Sequence, residues 1–280
     1  MSASQITRAL GALEQLCAHP AGLPLQALAD ALSMPKSAAH RTLAELSALG
    51  YVVQNRATGQ YLLSTRLLSL AFGHLAVSGL ADVTQPLLER LAAHTGELVR
   101  LGVVDGERQV WVAKAQGARS GLRYDPDMGR EAPLSCTASG HAWLACLDDD
   151  AAATLVARQG IAKHDGLGPN APRTLQAVLE RVRRARRQGY ASVVDSSAPG
   201  TSALAAALRH PGTGAVLGVV SVAGPSVRLT PERIEALAPE LLATAQELAL
   251  ASAGSTYFLA RNAAARDPSS PTPSTSPHHP

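Results

Sequence analysis

Cysteine is scarce in this chain. Its three residues, Cys17, Cys136 and Cys146, are odd in number and include no C-x-x-C pair, which argues against a disulfide framework and a zinc ribbon and fits a reducing cytoplasm. Long apolar runs are missing too: none approaches the roughly 20 residues of a membrane helix. The N-terminus enters amphipathic sequence with no basic segment and apolar signal core ahead of it, so no membrane partner is expected. Excess charge is lacking as well. With 25 basic against 22 acidic residues the formal charge is +3, so any nucleic-acid contact must come from a local patch. No G-x-S-x-G surrounds Ser139. "GTGAVLG" is spaced as a hairpin turn rather than a phosphate loop. His278 and His279 stand in a tail without further ligands, so neither metal nor cofactor is expected.

What is present is enough apolar material for two folded domains, 46% hydrophobic over 280 residues. Ile6, Ala9, Leu10, Leu13, Leu16 and Cys17 fall at helical spacing before "HPAGLP" stops the helix. "LQALADAL" forms a second short helix. In "SMPKSAAHRTLAELSALGYV" a third begins, with Ser33 as its expected cap and Ala39, Leu43, Leu46 and Leu49 as an inward stripe. Ser37, Ala38, His40 and Arg41 occupy its other face. "YVVQNRATGQYLL" reads as two short strands around a polar turn. Three helices and a hairpin make a winged helix-turn-helix, and "TRLLSLAFGHLAVSG" then predicts a connecting helix ending at Gly79.

Beyond it, apolar and polar residues alternate on either side of Asp105-Gly106, which predicts a hairpin. Helices follow in "LSCTASGHAWLACL", capped by Ser135 or Thr137 and running to Leu147, in "DDDAAATLVAR" and in "TLQAVLERVRRARRQG". Three strands and a long helix capped by Thr230 complete an α+β sensor-like domain. From Asp267 the tail is rich in serine and proline and is expected to be disordered.

The third helix suits a major groove. Its outward N-terminal half is small and polar, which permits close approach, and Arg56 makes the wing tip basic. Lys36 and Ser37 are placed to bind phosphate, while His40 and Arg41 are long enough to reach base edges or the opposite backbone. Residues 1–78 carry a formal charge of only +2, so tight operator binding calls for two copies. In the second domain, the amides opening the helix at Thr137, Ala138 and Ser139 could face a carboxylate, or be explained by capping alone.

Over about residues 4–253 the chain resembles bacterial transcription regulators of the IclR family. "LADALSMPKSAAHRTLAELSALGYV", "APLSCTASGHAWLA", "RRQGYASVVDSSAPGTSALAAAL" and "VVSVAGPSVRLT" carry the resemblance. It implies a winged helix-turn-helix over residues 1–64, a linker and dimerisation helix over 65–79, and a GAF-like effector-binding domain over 80–253, with 254–280 as the tail. It further implies a homodimer or dimer of dimers on double-stranded operator DNA, and a small organic or aromatic acid as effector. Matched motif to motif, the effector positions fall on Tyr124, Ala132, Ala138, Ser139, Val193, Ala203, Ser221 and Ala223. Val193 stands where the family often has an acidic residue, and Ala223 replaces the second serine of a Ser-x-Ser pair. A pocket more apolar than usual is therefore expected, suited to a carboxylate with an apolar or aromatic body. Two rival readings are a sensor of this fold without DNA binding, and a hydrolase built on Cys136, Ser139 and His141 with Asp195 as orienter. The arginines of residues 181–187 spread around their helix and read as a solvated face rather than a second nucleic-acid patch.

Overall fold

The computed structural model describes residues 4–78, 80–126, 128–163 and 165–252 and divides into two compact units, Met1–Val77 and Ser78–Pro280. In the first unit, α1 (Gln5–Ala18), α2 (Leu25–Ala31) and α3 (Lys36–Ala48) precede a hairpin of β1 (Val52–Gln54) and β2 (Tyr61–Leu63). Ser4 starts α1 by accepting the Thr7 N–H at 3.1 Å, which satisfies a donor that the helix itself cannot pair. Leu16, Leu28, Leu43, Leu46, Val52 and Tyr61 form the core. Each fully buried leucine there contributes roughly 2 kcal/mol. Leu23 pairs with Tyr61, adding an isolated bridge to the two-stranded wing.

Several details differ from the sequence reading. Ser33 does not cap α3. It adopts a left-handed turn with φ of 48°, and Pro35 occupies the N-cap position with no side-chain cap. Leu49 falls just past the helix and is 61% exposed, so the inward stripe is Ala39, Leu43 and Leu46. Ala38 turns inward and is buried, because it lies four residues before Thr42, which is also buried. Ile6 and Leu10 of α1 remain exposed.

After the wing comes α4 (Arg66–Ser78). Ser64 Oγ donates to the Gly50 carbonyl, and the Arg66 guanidinium lies 5.3 Å from the Tyr51 ring centroid, so the helix start is tied to the strands before it. Leu68, Leu70, Phe72 and Val77 are exposed along it. The expected stop at Gly79 lies outside the described residues, as do residues 253–280 with His278 and His279.

The second unit contains α5 (Leu80–Thr95), β3 (Leu98–Asp105), β4 (Arg108–Gln116), α6 (Ala138–Leu144), α7 (Asp149–Gln159) and α8 (Leu175–Gln188). It continues with β5 (Ala191–Val194), β6 (Thr201–Arg209), β7 (Val216–Pro225) and α9 (Pro231–Ser252). The five strands form an antiparallel sheet in the order β4-β3-β7-β6-β5. α5 and α9 pack together on one face, and α6 with α8 covers the other. This is the α+β architecture expected. Thr137 rather than Ser135 caps α6, accepting the Gly140 N–H at 2.9 Å, and the helix ends at Leu144 instead of Leu147.

Much of the arginine run is structural. Arg183 and Arg186 pair with Asp149 at 2.7 and 2.9 Å, and Arg186 also donates to the Leu147 carbonyl at 2.7 Å, joining α8 to the start of α7. Arg181 donates to the Asn170 carbonyl and to Ser196 Oγ.

Candidate functional site: a recognition helix and an internal cavity

The helical repeat of α3 places Ser37, His40 and Arg41 on one exposed stripe, with Lys36 exposed at the helix start. Among the described residues, the side chains of Lys36, His40, Arg41 and Arg56 make no hydrogen bond or ion pair. Glu45, the acidic residue on the same helix, is occupied by Gln5 Nε2 at 2.6 Å. Arg56 sits at the exposed wing tip. That turn closes because Asn55 Oδ1 accepts the Ala57 and Thr58 N–H groups and Gly59 adopts a φ of 73°, where a side chain would strain. Ala38, expected among the DNA contacts, is buried and cannot belong to this surface.

In the second unit a cavity of about 420 Å³ opens between the sheet and the segment entering α6. Tyr124, Ala138, Ser139, Ala203, Ser221 and Ala223 all line it, six residues drawn from a loop, a helix start and two strands. Two expected members are absent from its wall. Ala132 is fully buried behind Glu131 and Pro133, its N–H donated to the Gln109 carbonyl at 2.7 Å. Val193 pairs with Ala203 in register but belongs to the buried core cluster that also holds Ala138 and Ala142. Helix α6 covers it.

The expectation of an unusually apolar pocket is corrected by a residue the sequence reading passed over. Arg100 on β3 lines the cavity and is only 5% exposed. It was hidden in "ELVRLGVVDG", where the alternation marks a strand but does not say which face meets a cavity. Its guanidinium stacks 3.8 Å from the Trp111 ring centroid and 6.0 Å from that of Tyr124. Burial pulls its pKa below the ordinary arginine value, and Tyr124 acts in the opposite sense. Ser221, its register partner on β7, buries a hydroxyl with no hydrogen-bond partner.

The residues of the hydrolase reading are not brought into one hydrogen-bonded set. His141 Nε2 faces the Ser135 carbonyl at 2.9 Å, and burial drives its pKa down to about 4. Cys136 also lines the cavity, but burial pushes its thiol up to about 11, away from the reactive thiolate. Asp195 Oδ1 accepts the Gly200 N–H at 2.6 Å and orients no imidazole. No group of three or more His, Cys, Asp or Glu able to hold a metal occurs among the described residues, and none of their helices is long and apolar enough to cross a membrane.

Comparison with known proteins places both units. Residues 72–250 match the C-terminal domain of bacterial transcriptional regulators of the IclR type, and residues 5–56 match the IclR helix-turn-helix domain. The chain is 24% identical over 254 residues to the transcriptional repressor IclR of Escherichia coli K12, covering 89% of this chain and 90% of that one. It is 24% identical over 246 residues to the Pca regulon regulatory protein of Pseudomonas putida, covering 88% and 82%. Among solved structures, the IclR transcriptional regulator of Alicyclobacillus acidocaldarius superposes with a TM-score of 0.77 at 22% identity, covering 90% of this chain and all of the other. An IclR homologue of Microbacterium hydrocarbonoxydans complexed with 4-hydroxybenzoate superposes with a TM-score of 0.72 at 19% identity, covering 90% and 100%. With a helix-turn-helix match in the first unit and a match to the IclR C-terminal domain across most of the second, the chain belongs to the IclR family of bacterial transcriptional regulators.

Proposed function

We propose that the chain binds operator DNA as a homodimer or dimer of dimers in the cytoplasm, and that a small organic or aromatic acid in the cavity of the second unit modulates that binding. The observation that carries the DNA reading is the free polar and basic stripe of α3: Lys36, Ser37, His40 and Arg41 are exposed beside a wing ending in Arg56. Lys36 and Ser37 meet phosphate, and His40 and Arg41 reach into the groove. The cavity supports the effector reading, with Tyr124, Ala138, Ser139, Ala203, Ser221 and Ala223 in its wall, as does the 4-hydroxybenzoate held by a relative of the same fold. Dimerisation is supported by the exposed apolar side chains of α4, the linker helix of residues 65–79: Leu68, Leu70, Phe72 and Val77 would otherwise meet water. The effector acts by binding one arrangement of the protein more tightly than another, since equal affinity would shift nothing.

Footprinting on the region upstream of the chain's own gene, with and without a panel of organic acids, tests the whole reading, with light scattering for the oligomer. A protected site whose occupancy changes with an acid is expected. A folded protein that protects no DNA would make it a sensor without DNA binding.

A further inference from the structure

Arg100 presents an electrostatic problem that the protein does not solve by itself. Its charged side chain is 5% exposed, and a buried guanidinium calls for an acceptor. Its Nε has no hydrogen-bond partner, and among the described residues no carboxylate lies within ion-pair distance of it. Asp125, which acts on it from farther off, is taken by Lys114 at 2.5 Å and by Arg123 at 3.9 Å. Glu131, in the same cavity wall, is engaged by Gln159 Nε2 at 2.8 Å and by Arg108 at 3.7 Å. Arg130, the other cation of the wall, is not free either. Trp111 and Tyr124 give Arg100 two aromatic rings, which favour a cation and restrain its plane, and the Tyr124 side chain adds a hydrogen bond from a neutral partner, but neither residue supplies a carboxylate. Directly opposite in register, the Ser221 hydroxyl is buried and also unpartnered.

We infer that Arg100 is the anion-binding residue of this cavity. It receives the carboxylate of a monocarboxylic acid, the Ser221 hydroxyl donates a second hydrogen bond to that carboxylate, and the cavity thereby selects acids over their neutral isosteres. The acid end of the ligand points to the sheet, at β3 and β7, and its body fills the space toward Tyr124 and Ala203. A second carboxylate on the ligand finds no unengaged cation among the described residues of the wall, so diacids bind less well. This rests on the reading of the cavity as the effector site for an acid, and adds the residue that holds the acid group and discriminates it from neutral isosteres and from diacids.

The test uses the full chain, titrated by calorimetry with acid and amide pairs: formate and formamide, benzoate and benzamide, 4-hydroxybenzoate and 4-hydroxybenzamide, with phthalate as the diacid. At least one acid is expected to bind at millimolar concentration or below, its amide roughly 10- to 100-fold more weakly, as the loss of a charge-assisted hydrogen bond implies. Because the chain has two tryptophans, a Trp143→Phe background isolates Trp111, whose emission changes when the stacked guanidinium takes a carboxylate. Arg100→Met is expected to lose the preference for acid over amide while its ligand-free melting temperature holds or rises, because an unpaired buried charge is removed. Arg100→Lys and Ser221→Ala keep the question open to measurement should the methionine variant not fold; both are expected to weaken the acid without abolishing it. Amides binding as well as acids, an acid held with unchanged affinity by the Arg100 variants, or no acid of the panel binding at all would overturn the inference. Acids that release operator independently of Arg100 would leave the regulatory reading standing alone, and acids captured by Arg100 without effect on operator binding would do the reverse.

Discussion

The His141 imidazole, buried at the centre of α6, donates its Nε2 proton to the Ser135 carbonyl at 2.9 Å and leaves Nδ1 without a partner. Burial, with no acceptor for a second ring proton at Nδ1, favours the neutral ring. Burial lowers the pKa from the ordinary 6.5 to about 4, the Ser135 carbonyl opposing and Arg181 reinforcing the shift.

Stability should therefore fall as the solution is acidified from about pH 6.5 toward about pH 4. In that window the unfolded chain binds a proton that the folded chain refuses, so stability rises with pH and the contribution is complete above the unfolded value. The gap corresponds to about 3 kcal/mol across the window. Chemical denaturation at pH 7 and pH 4 measures it, and His141→Gln should flatten the difference. An unchanged slope in a folded variant would assign the acid sensitivity elsewhere.

Gly140 permits the contact that places the cavity wall. A Cβ there would stand 2.5 Å from Leu134 Cα and 2.7 Å from its carbonyl oxygen, both backbone atoms that cannot swing away. Gly140→Ala should cost about 1–3 kcal/mol through overpacking. It should also weaken ligand binding, because Thr137, Ala138 and Ser139 precede it in the wall. Full stability and unaltered binding would show that the two segments can separate without consequence.

On the DNA side, His40→Ala and Arg41→Ala should lower affinity for the operator and relax base preference at the positions they reach, by about 1–3 kcal/mol for a direct base contact. Lys36→Ala should weaken all sequences alike and reduce the salt slope by about one unit. Mobility shifts at several salt concentrations separate the two. A sequence-selective loss in the lysine variant would contradict its assignment to phosphate.

Thiol chemistry distinguishes the regulator from the hydrolase. Cys17 is exposed, whereas burial pushes Cys136 up to about 11 and raises Cys146 as well. At neutral pH a thiol reagent should label Cys17 first and Cys136 only on unfolding, as mass spectrometry of digests would show. Rapid labelling of Cys136 in the native chain would restore a nucleophile to the cavity.

Sequence alone determined the elements of this protein and their order. Helical spacing of leucines, stops such as "HPAGLP" and the cap residue Thr230 act within a few residues, so α1 to α3, the wing, α8 and α9 are legible one segment at a time. Ala138, Ser139, Ser221 and Ala223, which the family resemblance implies as effector positions, do stand in the cavity wall. Only the tertiary structure decided which way side chains face when both faces of an element are apolar. Val193 and Ala203 are register partners on the same side of the sheet, yet α6 covers the first and leaves the second on the cavity, a difference set by where a helix distant in sequence comes to rest. Leu49 leaves the inward stripe because the helix ends one residue earlier, whereas Ala38 joins the buried face because it stands one turn before the buried Thr42. Arg100 is the sharpest case. Within its strand it is one polar residue in an apolar run, and its unpaired charge becomes visible only when Trp111, Tyr124 and Ser221 close around it from three other segments. Burial and charge pairing are properties of that assembly, fixed by contacts between segments far apart in the chain.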